Sequence, residues 1–431
     1  MKFAASFLVF LPALLFADLS KQVDTHAAAV ESKVIEWRHD IHQHPELSNQ
    51  EFRTAAKVAE HLRALGYDVK TNVAVTGVVG VLKGGKPGPV VALRADMDAL
   101  PVTEKTGLPY ASKVTAEYGG KEVGVMHACG HDAHVAIAMG AAEVFANLRD
   151  ELPGTIKMIF QPAEEGAWPT PIWGAQQMIQ EGVLKNPAVD AIFGLHVRPG
   201  VSGGIYVKPG PIMASADFLR ITVTGKQTHA SRPWSGVDPI TISAQIILGI
   251  QTVASRQVDI LGSPSVVSIG TIQGGERNNI IPDEVVMTGT IRTYDPEIRQ
   301  AYFDKVTRTA EKIAESAGAA AEVYIGSDTG YGPTVNDQEL TEAMTPTLQR
   351  VAGDSMLFES TLTTGAEDFS FFQKEIPGMF FFLGVTPPDQ NYKTAPTNHS
   401  PLFMVDDSAM ITGIRAMSHL AVDYMLQHPK K

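Results

Sequence analysis

Val90-Val91-Ala92-Leu93-Arg94-Ala95-Asp96-Met97-Asp98 is an apolar run that leads into two carboxylates. The run is short and bounded upstream by Gly, Pro and Lys, which predicts a buried strand. Asp96 and Asp98 then fall just beyond its carboxyl end. The same arrangement recurs twice. A predicted strand at 155–160 leads into Gln161-Pro162-Ala163-Glu164-Glu165, and one at 191–195 ends at His196. In α/β sheets the carboxyl edge is where ligands and catalytic groups gather. Another buried strand is expected at 78–82. Helical periodicity appears at 23–41, at 51–65 before Gly66, and from His131 through Val135, Ala138, Met139, Ala142, Val144 and Phe145. Strands that alternate with helices predict an α/β fold with a mixed, largely parallel sheet covered by helices.

The texture changes at 213–326. Segments 218–223, 266–270 and 285–291 alternate like half-exposed strands, with helical patterns at 238–254 and 296–317. That predicts a small α+β insertion with one exposed sheet face. The catalytic type of pattern then resumes, with a helix near 338–352, an apolar run at 379–383 and a terminal helix near 407–427. The domain reading is therefore 18–212 and 327–431 for a catalytic domain in two parts, interrupted by 213–326. A chain of 431 residues, 44% hydrophobic, is long enough for two cores.

Net charge is −12 with no dense Lys/Arg block, which argues against nucleic acid or an anionic membrane as partner. Residues 1–17 read as a secretory signal peptide: Met1-Lys2, then an apolar run ending at Ala17. The run is shorter than the ~20 residues of a membrane span, and no later segment reads as one. The expected location is secreted or periplasmic. An oxidising compartment favours paired cysteines, yet the chain has one, Cys129.

That cysteine lies in His127-Ala128-Cys129-Gly130-His131-Asp132-Ala133-His134, one thiol and three imidazoles in eight positions. Packing does not require such a concentration of metal-binding side chains. Thiolate, imidazole and carboxylate are the usual ligands of Zn²⁺, and the last two also suit Mn²⁺, Co²⁺ and Ni²⁺. Adjacent Glu164 and Glu165 can divide labour, one holding metal while the other takes the proton of an attacking water.

Four ordered segments resemble one family: Leu93-Arg94-Ala95-Asp96-Met97-Asp98-Ala99-Leu100-Pro101, the 127–134 octapeptide, Gln161-Pro162-Ala163-Glu164-Glu165-Gly166, and Thr397-Asn398-His399-Ser400-Pro401. It is the aminoacylase/carboxypeptidase family of dinuclear metallohydrolases, in its branch of hippurate hydrolases and plant auxin-conjugate amidohydrolases. The likeness runs from about 30 to 425. It implies two divalent metal ions per subunit (Zn, Mn, Co or Ni), held by Cys129, His131, Glu165, His196 and His399. It implies Glu164 as general base and Asp98 as the acid that orients a His ligand. His127 and His134 are left to structural or supporting use. The insertion resembles the family's lid domain, which commonly forms a homodimer. Gly225-Lys226-Gln227-Thr228-His229-Ala230 resembles the lid motif whose His polarises the scissile carbonyl, although Gln227-Thr228 stands where Gly-Gly is usual. Asn279 and Arg292 match segments that hold a substrate carboxylate. Trp168 and Trp173 replace a Gly-rich, acidic stretch and point to a large or aromatic substrate group.

The expected activity is metal-dependent cleavage of the amide bond of N-acyl or aminoacyl amino-acid conjugates carrying a free carboxylate. The alternatives are a carboxypeptidase or dipeptidase with the same two-metal site, and a non-catalytic metal-dependent binding protein.

Overall fold

The computed structural model describes residues 10–166 and 173–430, with backbone alone at 10–17 and 327–329. Residues 1–9 of the expected signal peptide, and Trp168, lie outside the described residues. Contacts divide the chain into two compact units. One comprises Met1–Gly210, Asn336–Ser360 and Phe371–Lys431; the other comprises Pro211–Val335 and Thr361–Ser370.

The first unit opens with helices α1 (Phe10–Gln43) and α2 (Phe52–Ala64). Helix α1 thus begins inside the stretch read as a signal peptide and continues through the expected helix. Next come strands β1 (Asp68–Val73), β2 (Gly77–Lys83) and β3 (Lys86–Asp96), then the hairpin β4 (Thr115–Tyr118) and β5 (Lys121–Gly124). Helix α3 (His131–Asn147), β6 (Pro153–Gln161), β7 (Ala191–Val201) and β8 (Ile205–Val207) follow. The eight-stranded sheet runs β1-β2-β6-β3-β7, then Gly378–Thr386, β8 and Leu357–Glu359. Its centre is parallel: β3 pairs with β6 and β7, and β7 pairs with Gly378–Thr386. Strands β1 and β2 are antiparallel. Central parallel strands are covered on both faces, so their sequences are apolar without alternation; every residue of Gly378–Thr386 is buried.

Helix α3 carries fourteen buried residues out of seventeen, so it is a core helix rather than an amphipathic surface one. It packs on α1, on Met410–Gln427 and on β3. Gly140 permits the approach to α1, since a Cβ there would sit 2.6 Å from Val34. The strands are longer than the apolar runs that betray them. Strand β3 runs on to include Asp96, and β7 continues through His196 to Val201 because Gly378–Thr386 pairs along it, opposing Phe382 to His196. The hairpin β4–β5 gives little periodic signal, being four residues a side and largely polar.

The second unit holds β9 (Ala216–Thr224), β10 (Ser265–Gln273), β11 (Glu284–Thr293) and β12 (Ala320–Tyr331), in the antiparallel order β10-β11-β9-β12. Strand β9 alternates cleanly: Leu219, Ile221 and Val223 are fully buried between exposed Phe218, Arg220 and Thr224. Helices α4 (Pro239–Thr252) and α5 (Pro296–Ser316) cover the inner face with Ile242, Ile246 and Ile250, and with Tyr302, Val306 and Ala310. Asp238 and Asp295 cap them, each before a Pro, satisfying amide donors that the first turn leaves unpaired.

Candidate metal centre

Within the first unit, side chains distant in sequence converge at the carboxyl edge of the sheet. Potential ligand atoms of Cys129, His131 and His196 lie within 4.8 Å of one another, as do those of Cys129, Glu165 and His399 and those of His131, Glu164 and Glu165. Cys129 Sγ is 3.3 Å from His196 Nε2. Glu165 Oε1 is 3.1 Å from His399 Nε2 and 4.0 Å from His131 Nε2. Metal–ligand bonds of ~2.0–2.3 Å at tetrahedral angles put ligand atoms ~3.3–3.8 Å apart. The spacing therefore fits ions held between these groups.

Hydrogen bonds fix which nitrogen each imidazole offers. His131 Nδ1 donates to the Asp98 carbonyl at 2.7 Å, leaving Nε2 buried and without a hydrogen-bond partner. His196 Nδ1 donates to the Val197 carbonyl at 2.6 Å, leaving Nε2 facing the thiol. Pinning the far nitrogen to a carbonyl sets the tautomer and ring orientation that metal ligation needs. Burial, together with Glu165 and Glu164, pushes the Cys129 thiol well above its ordinary pKa. A coordinating cation is what makes such a thiol a thiolate. Burial opposes charge on His131, but Asp96, Asp98 and Glu165 outweigh it and raise its pKa to about 10.

The supporting residues explain the local geometry. Asp98 is fully enclosed: Oδ1 accepts from the Glu164 amide at 2.9 Å, and Oδ2 from the Glu165 amide at 3.0 Å and from Ser48 Oγ at 2.7 Å. Asp98 thus holds both glutamates through its carboxylate and His131 through its backbone carbonyl. Ala163, just before them, has φ +52, a conformation that costs a non-glycine residue energy. Buried Glu51 accepts from its amide at 2.9 Å. Gly130, between the candidate ligands Cys129 and His131, has φ +94, and a Cβ there would meet Val197 at 2.3 Å. His399 has φ +71, and its amide donates to the Ala128 carbonyl at 2.8 Å. Asn398 donates to the carbonyls of Cys129 (2.9 Å) and Val197 (3.0 Å), tying together the three segments that carry Cys129, His196 and His399. Spacing in the sequence gave no sign of the parts played by Ser48, Glu51 and Asn398, because their partners lie far along the chain.

His134 has both ring nitrogens engaged, one with Asp96 and the other accepting from the Val197 amide at 2.9 Å. It braces the strand that carries His196. Among the described residues His127 joins none of the candidate ligand groups; burial lowers its pKa to about 3, so it is a neutral imidazole.

His229, Asn279 and Arg292 lie in the second unit. His229 is exposed, and its Nδ1 accepts from the Ser231 amide at 3.0 Å, which puts the ring proton on Nε2. Thr228–His229 pair with Ile280–Ile281, so Asn279 adjoins His229, and its carbonyl accepts from the Ala230 amide. Arg292 is elsewhere. It lies eight residues beyond Glu284 along β11, roughly 25 Å at strand rise. The segment carrying Asn279 precedes one end of β11, and Arg292 lies near the other.

The model of "Peptidase family M20/M25/M40" matches residues 92–423. The "Thermostable carboxypeptidase 1" of Saccharolobus solfataricus is 41% identical over 94% of this chain and 99% of its own length. An "N-acetylcysteine deacetylase" of Bacillus subtilis is 40% identical over 91% of this chain and 97% of its own. The crystal structure of the Bacillus subtilis YXEP protein, described as a dinuclear metal binding peptidase, superposes with a TM-score of 0.76 at 36% identity, covering 92% of this chain and 99% of that one. With the buried Cys/His/Glu constellation, these matches identify the chain as a metal-dependent hydrolase belonging to peptidase family M20/M25/M40.

Proposed function

We propose that this hydrolase cleaves the amide bond of N-acyl amino acids, releasing an amino acid, with Glu164 as general base. The observation that carries the reading is the pair Glu164–Glu165 hung from Asp98. It sets a buried carboxylate beside a ligand set that already has a carboxylate of its own. Cys129, His131, Glu165, His196 and His399 would hold two divalent ions, which would supply Lewis acidity for the carbonyl and for the attacking water. Glu164 takes the proton of that water and returns it to the departing nitrogen. His229, with its proton on Nε2, is the donor for the developing oxyanion, and adjoining Asn279 assists in holding the substrate. A free carboxylate on the substrate is part of the reading.

A second reading, a carboxypeptidase or dipeptidase, is favoured by the 41% identical relative named a carboxypeptidase. Turnover of N-acetyl and N-benzoyl amino acids, measured beside dipeptides of the same released residue, separates the two. An enzyme that hydrolyses dipeptides and leaves N-acyl substrates intact rejects the first. The second unit is proposed as the lid and as the homodimer interface. Edge strand β10 exposes Val266 and Ile272, and α4 exposes Ile240 and Leu248, a pattern that favours a second copy. The N-terminal stretch supports export to a secreted or periplasmic location, to be checked by cell fractionation and N-terminal sequencing.

A further inference from the structure

Glu51 stands immediately before helix α2 and is fully buried, yet its side chain does not cap the helix. A residue there ordinarily gives its side-chain oxygen to the amides of the first turn. Here Glu46 does so, accepting from the Arg53 and Thr54 amides at 2.8 Å each. The Glu51 carboxylate is turned instead to three separate segments. Oε1 accepts from the amides of Asn49 (3.0 Å) and Ala163 (2.9 Å), and Oε2 accepts from the Thr76 hydroxyl. None of these partners is a cation, and burial, followed by the charge of Asp98, pushes the carboxyl pKa upward. A buried carboxyl without a cation weakens a fold, so helix capping and ion pairing both fail to account for this one.

Backbone strain collects around the same carboxylate. Asn49 has φ +61, Ala74 +51, Val75 +80 and Ala163 +52. Asn49 and Ala163 are the two amide donors, and Ala74 and Val75 lead directly into Thr76. That turn lies against Pro162, since a Cβ on Gly77 would come within 3.0 Å of its ring. For alanine the left-handed conformation is disfavoured roughly five- to thirtyfold. At Ala163 it has a consequence downstream, because the next two amides, those of Glu164 and Glu165, are the ones presented to Asp98. Were Ala163 to relax to ordinary helical or extended backbone, neither amide would keep its place. Asp98 grips the pair beyond the bend, and Glu51 grips the bend itself.

We infer that Glu51 is a positioning residue for the reaction: its carboxyl holds Ala163 in the left-handed turn from which Glu164 and Glu165 reach the metal centre. The inference rests on the reading of Glu164 as general base. Glu51 takes no part in the chemistry and acts through one backbone amide. The task needs an oxygen acceptor at Oε1. Glutamine keeps that acceptor and can donate its own amide to the Thr76 hydroxyl oxygen, whereas alanine leaves the bend to its intrinsic preference. Glycine in place of Ala163 has no such preference to overcome. The two positions are therefore expected to be coupled, although 112 residues separate them along the chain.

The experiment is a double-mutant cycle on the metal-reconstituted full chain: Glu51→Ala, Ala163→Gly and the two together, with Glu51→Gln beside them. Glu51→Ala should lower kcat about tenfold or more on an N-acyl amino acid and leave KM within about threefold. Glu51→Gln should restore most of that loss. With glycine at position 163, the fall caused by Glu51→Ala should shrink at least about fivefold. A second readout needs neither metal nor substrate. In the metal-free protein, deuterium exchange of residues 161–166 should quicken in Glu51→Ala and slow again in Glu51→Gln. Should Glu51→Ala not fold, as judged by circular dichroism, Glu51→Asp takes its place, since a side chain one methylene shorter cannot reach both Ala163 and Thr76. A loss of the same size with alanine or glycine at 163 would overturn the proposal, as would a loss confined to KM or unaltered exchange. Failure of the Glu164 reading is separate: Glu164→Gln would then keep its turnover, while coupling between positions 51 and 163 is still read from kcat, metal affinity and exchange.

Discussion

Glu164 and Glu165 share a peptide bond and a common anchor, Asp98, yet their side chains have different neighbours. Glu165 lies against His399 and Cys129. Glu164→Gln is expected to keep its metal and lose roughly 10²–10⁴-fold in kcat, because an amide cannot accept the proton of water. Glu165→Gln should lose metal at one site or more. Elemental analysis beside turnover decides; normal metal in both variants, with turnover lost only in Glu165→Gln, would exchange the two roles. Asn398 makes a separate case. Its side-chain amide is the donor shared by the Cys129 and Val197 carbonyls, next to a His399 in a left-handed conformation. Asn398→Ala should weaken metal binding by roughly 10–100-fold, read by competition with a chromogenic chelator. Unaltered affinity would leave Asn398 with no more than a packing role. The motif containing Asn398 was legible in the sequence. Its function was not, since the two carbonyls lie 269 and 201 positions away.

At the level of elements, the N-terminus of α3 brings His131 to the metal centre, and a buried ionic network fixes it to α1. Asp132 Oδ2 accepts from Arg38 Nε at 3.1 Å and from His42 Nδ1 at 2.9 Å, and His42 Nε2 lies 3.2 Å from Glu104. Arg38 also pairs with Asp407, which leads into the terminal helix. Helical periodicity located α1 and α3 but gave no sign of this network, because polar residues on a helix ordinarily face water. It has a pH signature. Burial alone would lower the pKa of His42, but Asp132 and Glu104 raise it to about 9, against ~6.5 in the unfolded chain. Below pH ~6.5 both states hold the proton and the full stabilisation, on the order of 3 kcal/mol, is present. As pH rises toward 9 the folded state alone retains the proton and the contribution declines; above that it is gone. Urea midpoints should therefore fall between pH 6 and pH 9.5, and less steeply in His42→Gln. Equal slopes in the two proteins would refute the assignment.

For the whole molecule, the central expectation is metal dependence. Chelation should abolish activity, and Mn²⁺, Zn²⁺ or Co²⁺ should restore it; full turnover by protein shown to be metal-free by elemental analysis would end the two-metal mechanism. If the second unit forms the dimer, Leu248→Glu on exposed α4 should shift the mass measured by light scattering from two chains to one at unchanged metal content. By itself the sequence determined the fold class and a metal-dependent hydrolase chemistry. Buried parallel strands must be apolar, ligands cluster just past their ends, and thiol, imidazole and paired glutamates have few other reasons to occur together. Tertiary structure alone decided the rest. Pairing with Gly378–Thr386 extended β7 past His196 and brought Arg198 within 4.4 Å and 4.6 Å of the Tyr206 and Phe382 ring centres. The length of β11 carried Arg292 away from the end of the strand that the Asn279 segment precedes. Asp98, Glu51 and Asn398 acquired their tasks from backbone groups that only folding brings within hydrogen-bond reach. A motif records side-chain type and order along the chain, whereas these interactions depend on distances between segments that are remote in sequence.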